Sequence, residues 1–336
     1  MLRITLLCCS LAFPVCAQEL ITLRSGNGTA GGPDASIVVL QGPFFAPFTV
    51  VEYAAASAGV PAEIIPSGSF GWAPTLSNDP LALWIATSQA GTGPPSLYAM
   101  PFNVTTAMIT QATISINMHV DDFLGDGINS GISVNAVPVP NTTTVAGGTW
   151  VNEVGYSNLD ITGLVAAGAN YLYLYVNNTG VTGAGGIQFT ATIAVYPPPE
   201  YQTNSFAAGL NVNGVIGTQY MPATPTVPIG TMATLTLVST GAGQPWDLGT
   251  GAAPLVPTSA GAVTSSDGQI VNLDLADPTL SLWFNFLQGP TFPPAILMSI
   301  PFSIPFATSI SAQMIIVNPS MSSGIALSQA TRLIIQ

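Results

Sequence analysis

Few side chains in this chain can do chemistry. After residue 17 there is one histidine (His119), no cysteine, no lysine, and only two basic residues, Arg24 and Arg332. The densest polar group is Asp121-Asp122-Phe-Leu-Gly-Asp126-Gly-Ile-Asn129. Three carboxylates and an amide on a Gly-containing loop suit an oxygen-ligated Ca²⁺, with Asp121, Asp122, Asp126 and Asn129 as ligands. Their spacing departs from the D-x-[DN]-x-[DN]-G pattern, so this reading rests on composition. The favoured alternative is an acidic surface loop whose Asp side chains close Asx turns. His119 precedes Asp121 and Asp122 closely enough to pair with either as base and orienting carboxylate. No G-x-S-x-G elbow supplies a nucleophile, and a half-exposed strand histidine bonded to a neighbouring carboxylate accounts for His119 more simply. Glycoside hydrolysis needs two acids roughly 5–10 Å apart across a cleft. The candidates are Asp121, Asp122, Asp126, Glu153, Asp160, Asp274 and Asp277. Of these, Asp274-Leu-Ala-Asp277-Pro278 reads as a strand end entering a turn.

Sugar binding asks for aromatic planes beside amides and hydroxyls. The chain offers Trp72, Trp84, Trp150, Trp246, Trp283 and the stripe Tyr171, Tyr173, Tyr175. The stripe would serve as a stacking platform if exposed; tyrosines so spaced more often pack under an opposing sheet or covering loop. Trp150 and Asn152 follow Gly147-Gly148 on a loop, where function concentrates.

These residues sit on strands. Ala112, Ile114, Ile116, Met118 and Val120 alternate with Thr113, Ser115, Asn117 and His119, a period of 2 that puts the two sets on opposite faces, one buried and one wet. Gly186–Val195 alternates likewise, and Tyr171–Val176 follows the same rule. Further β segments are expected at 132–137, 232–238, 269–275, 311–317 and 331–336, separated by turn clusters such as 179–186 and 239–244. Many short strands with such punctuation predict an all-β chain built of sandwiches. One helix is expected at 50–58, because Thr49 and Glu52 form a capping box and Gly59 and Pro61 stop it. Pro197-Pro198-Pro199 cannot feed a sheet ladder and favours a stiff spacer. Two β-sandwich domains, 18–196 and 201–336, are therefore expected on either side of a 197–200 linker.

Composition narrows the function classes. Charged residues make up 5% of the 336, against roughly 25% in ordinary soluble proteins. The net charge of -12 excludes electrostatic binding of nucleic acid or of anionic lipid. Arg3, the apolar run 4–15 and Val15-Cys16-Ala17 form a secretory signal peptide over 1–17; a lipid anchor on Cys16 is the weaker option. All three cysteines lie in that segment, so a chain starting at Gln18 would have no thiol. No run of ~20 apolar residues follows, so no transmembrane span is expected.

Several of these pieces occur in a recognisable order. Trp84-Ile-Ala-Thr-Ser, Tyr98-Ala-Met-Pro-Phe102, Asp121-Asp122, Ile132-Ser-Val-Asn135, Gly168-Ala-Asn-Tyr-Leu-Tyr-Leu-Tyr-Val-Asn-Asn178 and Gly185-Gly-Ile-Gln-Phe189 follow one another. Over about 65–196 this resembles the galactose-binding-like jelly-roll domains of secreted bacterial proteins. The chain departs from that family at Asn135-Ala136, where the family has Asn-Gly. Gly268–Leu275 and Ala326–Gln336 resemble terminal β modules of exported planctomycete-type proteins. The first resemblance implies a jelly roll that binds glycan or serves as an inert surface module. The expectation is an exported, non-catalytic β-sandwich protein that binds polysaccharide or cell-envelope glycan. A purely structural or adhesive surface protein comes next, and a glycoside hydrolase last.

Overall fold

The computed structural model describes residues 18–88, 93–142, 150–179, 184–294 and 297–336; the expected signal peptide lies outside them. The protein is all-β with one α-helix among the described residues. The described chain falls into two units, Gln18–Pro197 and Pro198–Gln336.

The first unit runs β1 (Glu19–Arg24), β2 (Pro33–Gln41), α1 (Val50–Ser57), β3 (Val60–Ile64), β4 (Ile85–Ala86), β5 (Ser96–Val104), β6 (Gln111–Asp121), β7 (Phe123–Leu124), β8 (Ile132–Val134), β9 (Val137–Pro138), β10 (Val154–Asp160), β11 (Gly168–Asn177) and β12 (Gly186–Tyr196). One layer is β1-β12-β6-β10, with β12 and β6 in antiparallel register from Gly186↔Asp121 to Tyr196↔Gln111. The other is β3-β2-β5-β11-β8-β9, and β4 carries the hydrogen-bonded path between the two. The apolar half of the alternation read from sequence holds; of the half expected to be wet, His119, Gln188 and Thr190 are buried. Ala112, Ile114, Ile116, Met118 and Val120 of β6 meet Ile187, Phe189, Ala191, Ile193 and Val195 of β12 in the buried core. Leu172, Leu174 and Val176 of β11 close that core from the opposite layer.

The second layer is covered on its outer face as well. Leu97 and Ala99 of β5 and Tyr173 and Tyr175 of β11 form a satellite core with Tyr53 and Ala56 of α1 and with Phe44 and Phe48. The Tyr171–Tyr175 stripe is therefore not an exposed stacking platform. Tyr173 packs edge-on to Tyr53 at 4.8 Å, and Tyr175 edge-on to Phe48 at 4.9 Å; Tyr171 alone of the three is half-buried. Helix α1 holds this lid in place through its predicted cap. The Glu52 carboxylate accepts from the Thr49 amide and hydroxyl, and that hydroxyl accepts from the Val51 amide.

The second unit comprises β13 (Gly209–Val212), β14 (Thr226–Val227), β15 (Ala233–Val238), β16 (Trp246–Gly251), β17 (Val263–Thr264), β18 (Ile270–Val271), β19 (Ser281–Leu282), β20 (Leu297–Phe302), β21 (Thr308–Val317) and β22 (Ile325–Ile335). A β13-β15-β20 sheet packs against a β14-β22-β21-β16-β19 sheet over a core that includes Leu210, Leu237, Trp246, Met314 and Ile316. β17 and β18 form a separate two-stranded ladder. The strand expected over 269–275 is only Ile270–Val271, because Asn272 turns away to cap the Glu200 and Val256 carbonyls.

Candidate functional site

The outer face of the β1-β12-β6-β10 layer carries the polar set of the β6 and β12 alternation. At one end that face is roofed. Trp84 stacks over His119 at 6.1 Å, and Trp72 stacks on Trp84 at 4.3 Å. His119 is 3% exposed and its Nδ1 has no hydrogen-bond partner. The half-exposed histidine read from sequence is thus corrected, and so is its pairing: Trp72 Nε1 donates to Asp121 Oδ2 at 2.7 Å. Burial beneath the indoles pushes the Asp121 carboxyl up to about 6. The Trp72 bond opposes that rise and the neighbouring Asp122 adds to it.

The expected Ca²⁺ ligands are brought to different partners. Asp122 accepts from the amide and hydroxyl of Thr179 at 3.0 and 2.6 Å. Asp126 Oδ1 accepts from the amides of Ile128 and Asn129, closing an Asx turn, and its Oδ2 accepts from the Tyr175 hydroxyl. Asn129 accepts from the Phe48 amide and donates to the Ala46 carbonyl. Among the described residues no three His, Cys, Asp or Glu side chains are gathered to hold a metal ion. The loop ties the Phe44–Phe48 segment to β11, which is why its acids face separate hydrogen-bond donors.

Past the tryptophan roof the same face opens into a polar cleft of about 310 Å³. Its floor is Ser115 and Asn117 of β6, Thr190 and Thr192 of β12, and Thr22 and Arg24 of β1. Its walls are Asn78 and Asp79 on one side and Tyr156 and Ser157 on the other. Arg24 Nε donates to Asp79 Oδ2 at 2.6 Å, with the two side chains 38% and 10% exposed. Burial would raise the Asp79 carboxyl, but the Arg24 guanidinium, the Leu81 amide and the Thr190 hydroxyl outweigh it and hold it below the usual carboxylate range. Glu153 ties the segment before Asn78 to the floor, accepting from the Ser77 amide and hydroxyl and from Asn117 Nδ2. The Ala73 amide donates to the Trp150 carbonyl at 2.6 Å, and neither Trp150 nor Asn152 lines the cleft. Trp150 is 42% exposed and Asn152 is exposed.

The sequence names Trp150 and Asn152 and predicts wet polar faces on β6 and β12; Thr192 is exposed and Ser115 and Asn117 are half-buried, whereas His119, Gln188 and Thr190 are buried. Sequence reasoning missed Arg24, Asp79 and Tyr156. One signal was available: Arg24 is the only basic residue in Gln18–Pro197. A lone cation in so acidic a unit marks a built position.

No family model matches the chain, and no curated protein does. Among solved structures, the chain is similar to the PmoD soluble domain from Methylocystis sp. ATCC 49242 (Rockwell), at 10% identity and a TM-score of 0.24, covering 41% of this chain and 97% of that one. It is similar to a Bacteroides uniformis β-glucuronidase at 12% identity and a TM-score of 0.29, covering 93% of this chain. A Ruminococcus gnavus β-glucuronidase matches at 12% and 0.27, again over 93% of this chain. This chain spans 32% and 43% of the length of those two enzymes. Likenesses this distant carry no functional argument. Among the described residues no helix is long and apolar enough to cross a membrane.

Proposed function

We propose that the Gln18–Pro197 unit is a non-catalytic, galactose-binding-like module of an exported protein, and that it seats a glycan in the cleft over Arg24, Asp79 and Asn117. The carrying observation is the Arg24–Asp79 pair set among hydroxyls and an amide on a rigid sheet face. Sugar hydroxyls both donate and accept, and this cleft offers guanidinium and amide donors beside carboxylate and hydroxyl acceptors. The pair leaves the cleft near neutral, which favours an uncharged saccharide. A glycosidase needs two carboxyls facing the substrate, one of them protonated at neutral pH; Asp79 is the one acid lining this cleft among the described residues, and it is held below the usual carboxylate range. A structural or adhesive surface role is the second reading, favoured by Phe45, Val50 and Val51, which are exposed near the start of α1.

Retention of the Gln18–Gln336 chain on insoluble polysaccharides, followed by calorimetry with matching oligosaccharides, tests the proposal. Arg24→Ala and Asn117→Ala are each expected to weaken binding at least tenfold with far-UV dichroism unchanged. Binding indifferent to Arg24→Ala and Asn117→Ala would remove the cleft. Self-association in size-exclusion chromatography with no retention on any polysaccharide would favour the second reading.

A further inference from the structure

The core of the Pro198–Gln336 unit is not filled. A cavity of about 290 Å³ lies between its two sheets, lined by Leu235, Leu248, Ile300, Phe302, Leu333 and Ala312 among others. Protein interiors leave few voids larger than a water molecule, and a dry apolar cavity of about half this volume takes up benzene. Ile300 and Phe302 in its lining belong to β20, which pairs only with β15 among the described strands. Its inward residues Met298, Ile300 and Phe302 remain half-buried for want of a neighbour. Trp283, 47% exposed, also borders the cavity.

The lining also states what could enter. No charged side chain borders the cavity, so an ion would lose its hydration without compensation. Its two polar side chains are Thr250 and Thr331. Trp283 Nε1 reaches Thr250 Oγ1 at 3.4 Å. Thr331 is 1% exposed and its Oγ1 has no hydrogen-bond partner. A buried hydroxyl is rarely left so. The neighbouring Arg332 is turned to the opposite face, donating to the Ala252 and Ala253 carbonyls and to Ser311. We propose that this cavity binds a small neutral apolar molecule bearing one hydroxyl or carbonyl group, with Thr331 as its polar anchor. The site lies in the other unit from the glycan cleft, so either proposal can fail without the other.

The test uses the Gln18–Gln336 chain with 1-naphthol and naphthalene, which differ by one hydroxyl. Both are expected to bind saturably at one site and quench tryptophan emission, with 1-naphthol preferred roughly three- to tenfold, the worth of one net hydrogen bond. Ala312→Phe fills the cavity and is expected to weaken both at least tenfold. Thr331→Val keeps the shape and removes the hydroxyl; it is expected to erase the preference while leaving naphthalene binding intact. Should Ala312→Phe fail to fold, Thr331→Val still decides. The absence of saturable binding, or binding unmoved by a folded Ala312→Phe, overturns the site, and a preference that survives Thr331→Val overturns the anchor. Concentration-dependent dimerisation that Ala312→Phe abolishes, with neither probe bound, assigns the cavity to a second copy instead and overturns the proposal.

Discussion

Asp121 ends β6 with its carboxylate under the Trp72 indole and beside Asp122, and that enclosure makes it titrate near pH 6 in the folded protein. In the unfolded chain it titrates near ~3.9. Below pH ~4 both states hold the proton and no penalty exists. Between about 4 and 6 the unfolded chain releases the proton first, so stability from this group falls as pH rises and levels off above 6. Asp121→Asn keeps an acceptor for Trp72 without the charge. Its stability relative to wild type is expected to grow from pH 4 to 6 and then stay flat in urea unfolding. A difference independent of pH would show that Asp121 is not held protonated. Asp79 has the opposite sign: its stabilising pair with Arg24 persists at neutral pH and is lost as pH falls below the ordinary carboxylate range. The sequence singled out Asp121 and not Asp79, and it showed the direction of neither. Position in the chain does not say whether a carboxylate will meet an indole or a guanidinium.

At the scale of elements, the β8–β9 hairpin shows a local rule met with unusual residues. Asn135 and Ala136 both have positive φ, 50° and 66°, where a two-residue turn of this kind prefers Asn-Gly. The Asn135 side chain compensates. It accepts from the Tyr171 amide and donates to the Leu164 carbonyl and to Asn170 Oδ1. Asn135→Ala removes three hydrogen bonds and puts a second alanine in the left-handed region, so a loss of roughly 2–4 kcal/mol is expected in urea unfolding. A loss below the cost of one hydrogen bond would mean the turn is set by the strands alone. Helix α1 was legible to within a residue because its capping box is a local signal. Thr49→Ala is expected to cost about 1 kcal/mol. It should also increase exposure of Tyr173 and Tyr175, readable as near-ultraviolet dichroism. What the helix would cover was not legible: a tyrosine alternation looks the same beneath a lid as beneath water.

For the molecule as a whole, separate cores in Gln18–Pro197 and Pro198–Gln336 lead to the expectation that each fragment melts cooperatively alone and that the whole chain shows two transitions. If neither fragment folds by itself, the units are not independent. Exported material is expected to begin near Gln18 and carry no thiol, which intact mass would check. Sequence alone determined the all-β class, the two faces of β6 and β12, the helix cap and the poverty of catalytic groups, because period, capping and composition act over a few residues. Tertiary structure decided which second faces are covered: Tyr173 and Tyr175 under α1, His119 under Trp84, Ser115 and Asn117 left open. It also brought Arg24 to Asp79, 55 positions away, once β1 paired with β12. Alternation assigns each side chain to a face, but only the packing of distant segments determines what, if anything, lies against that face.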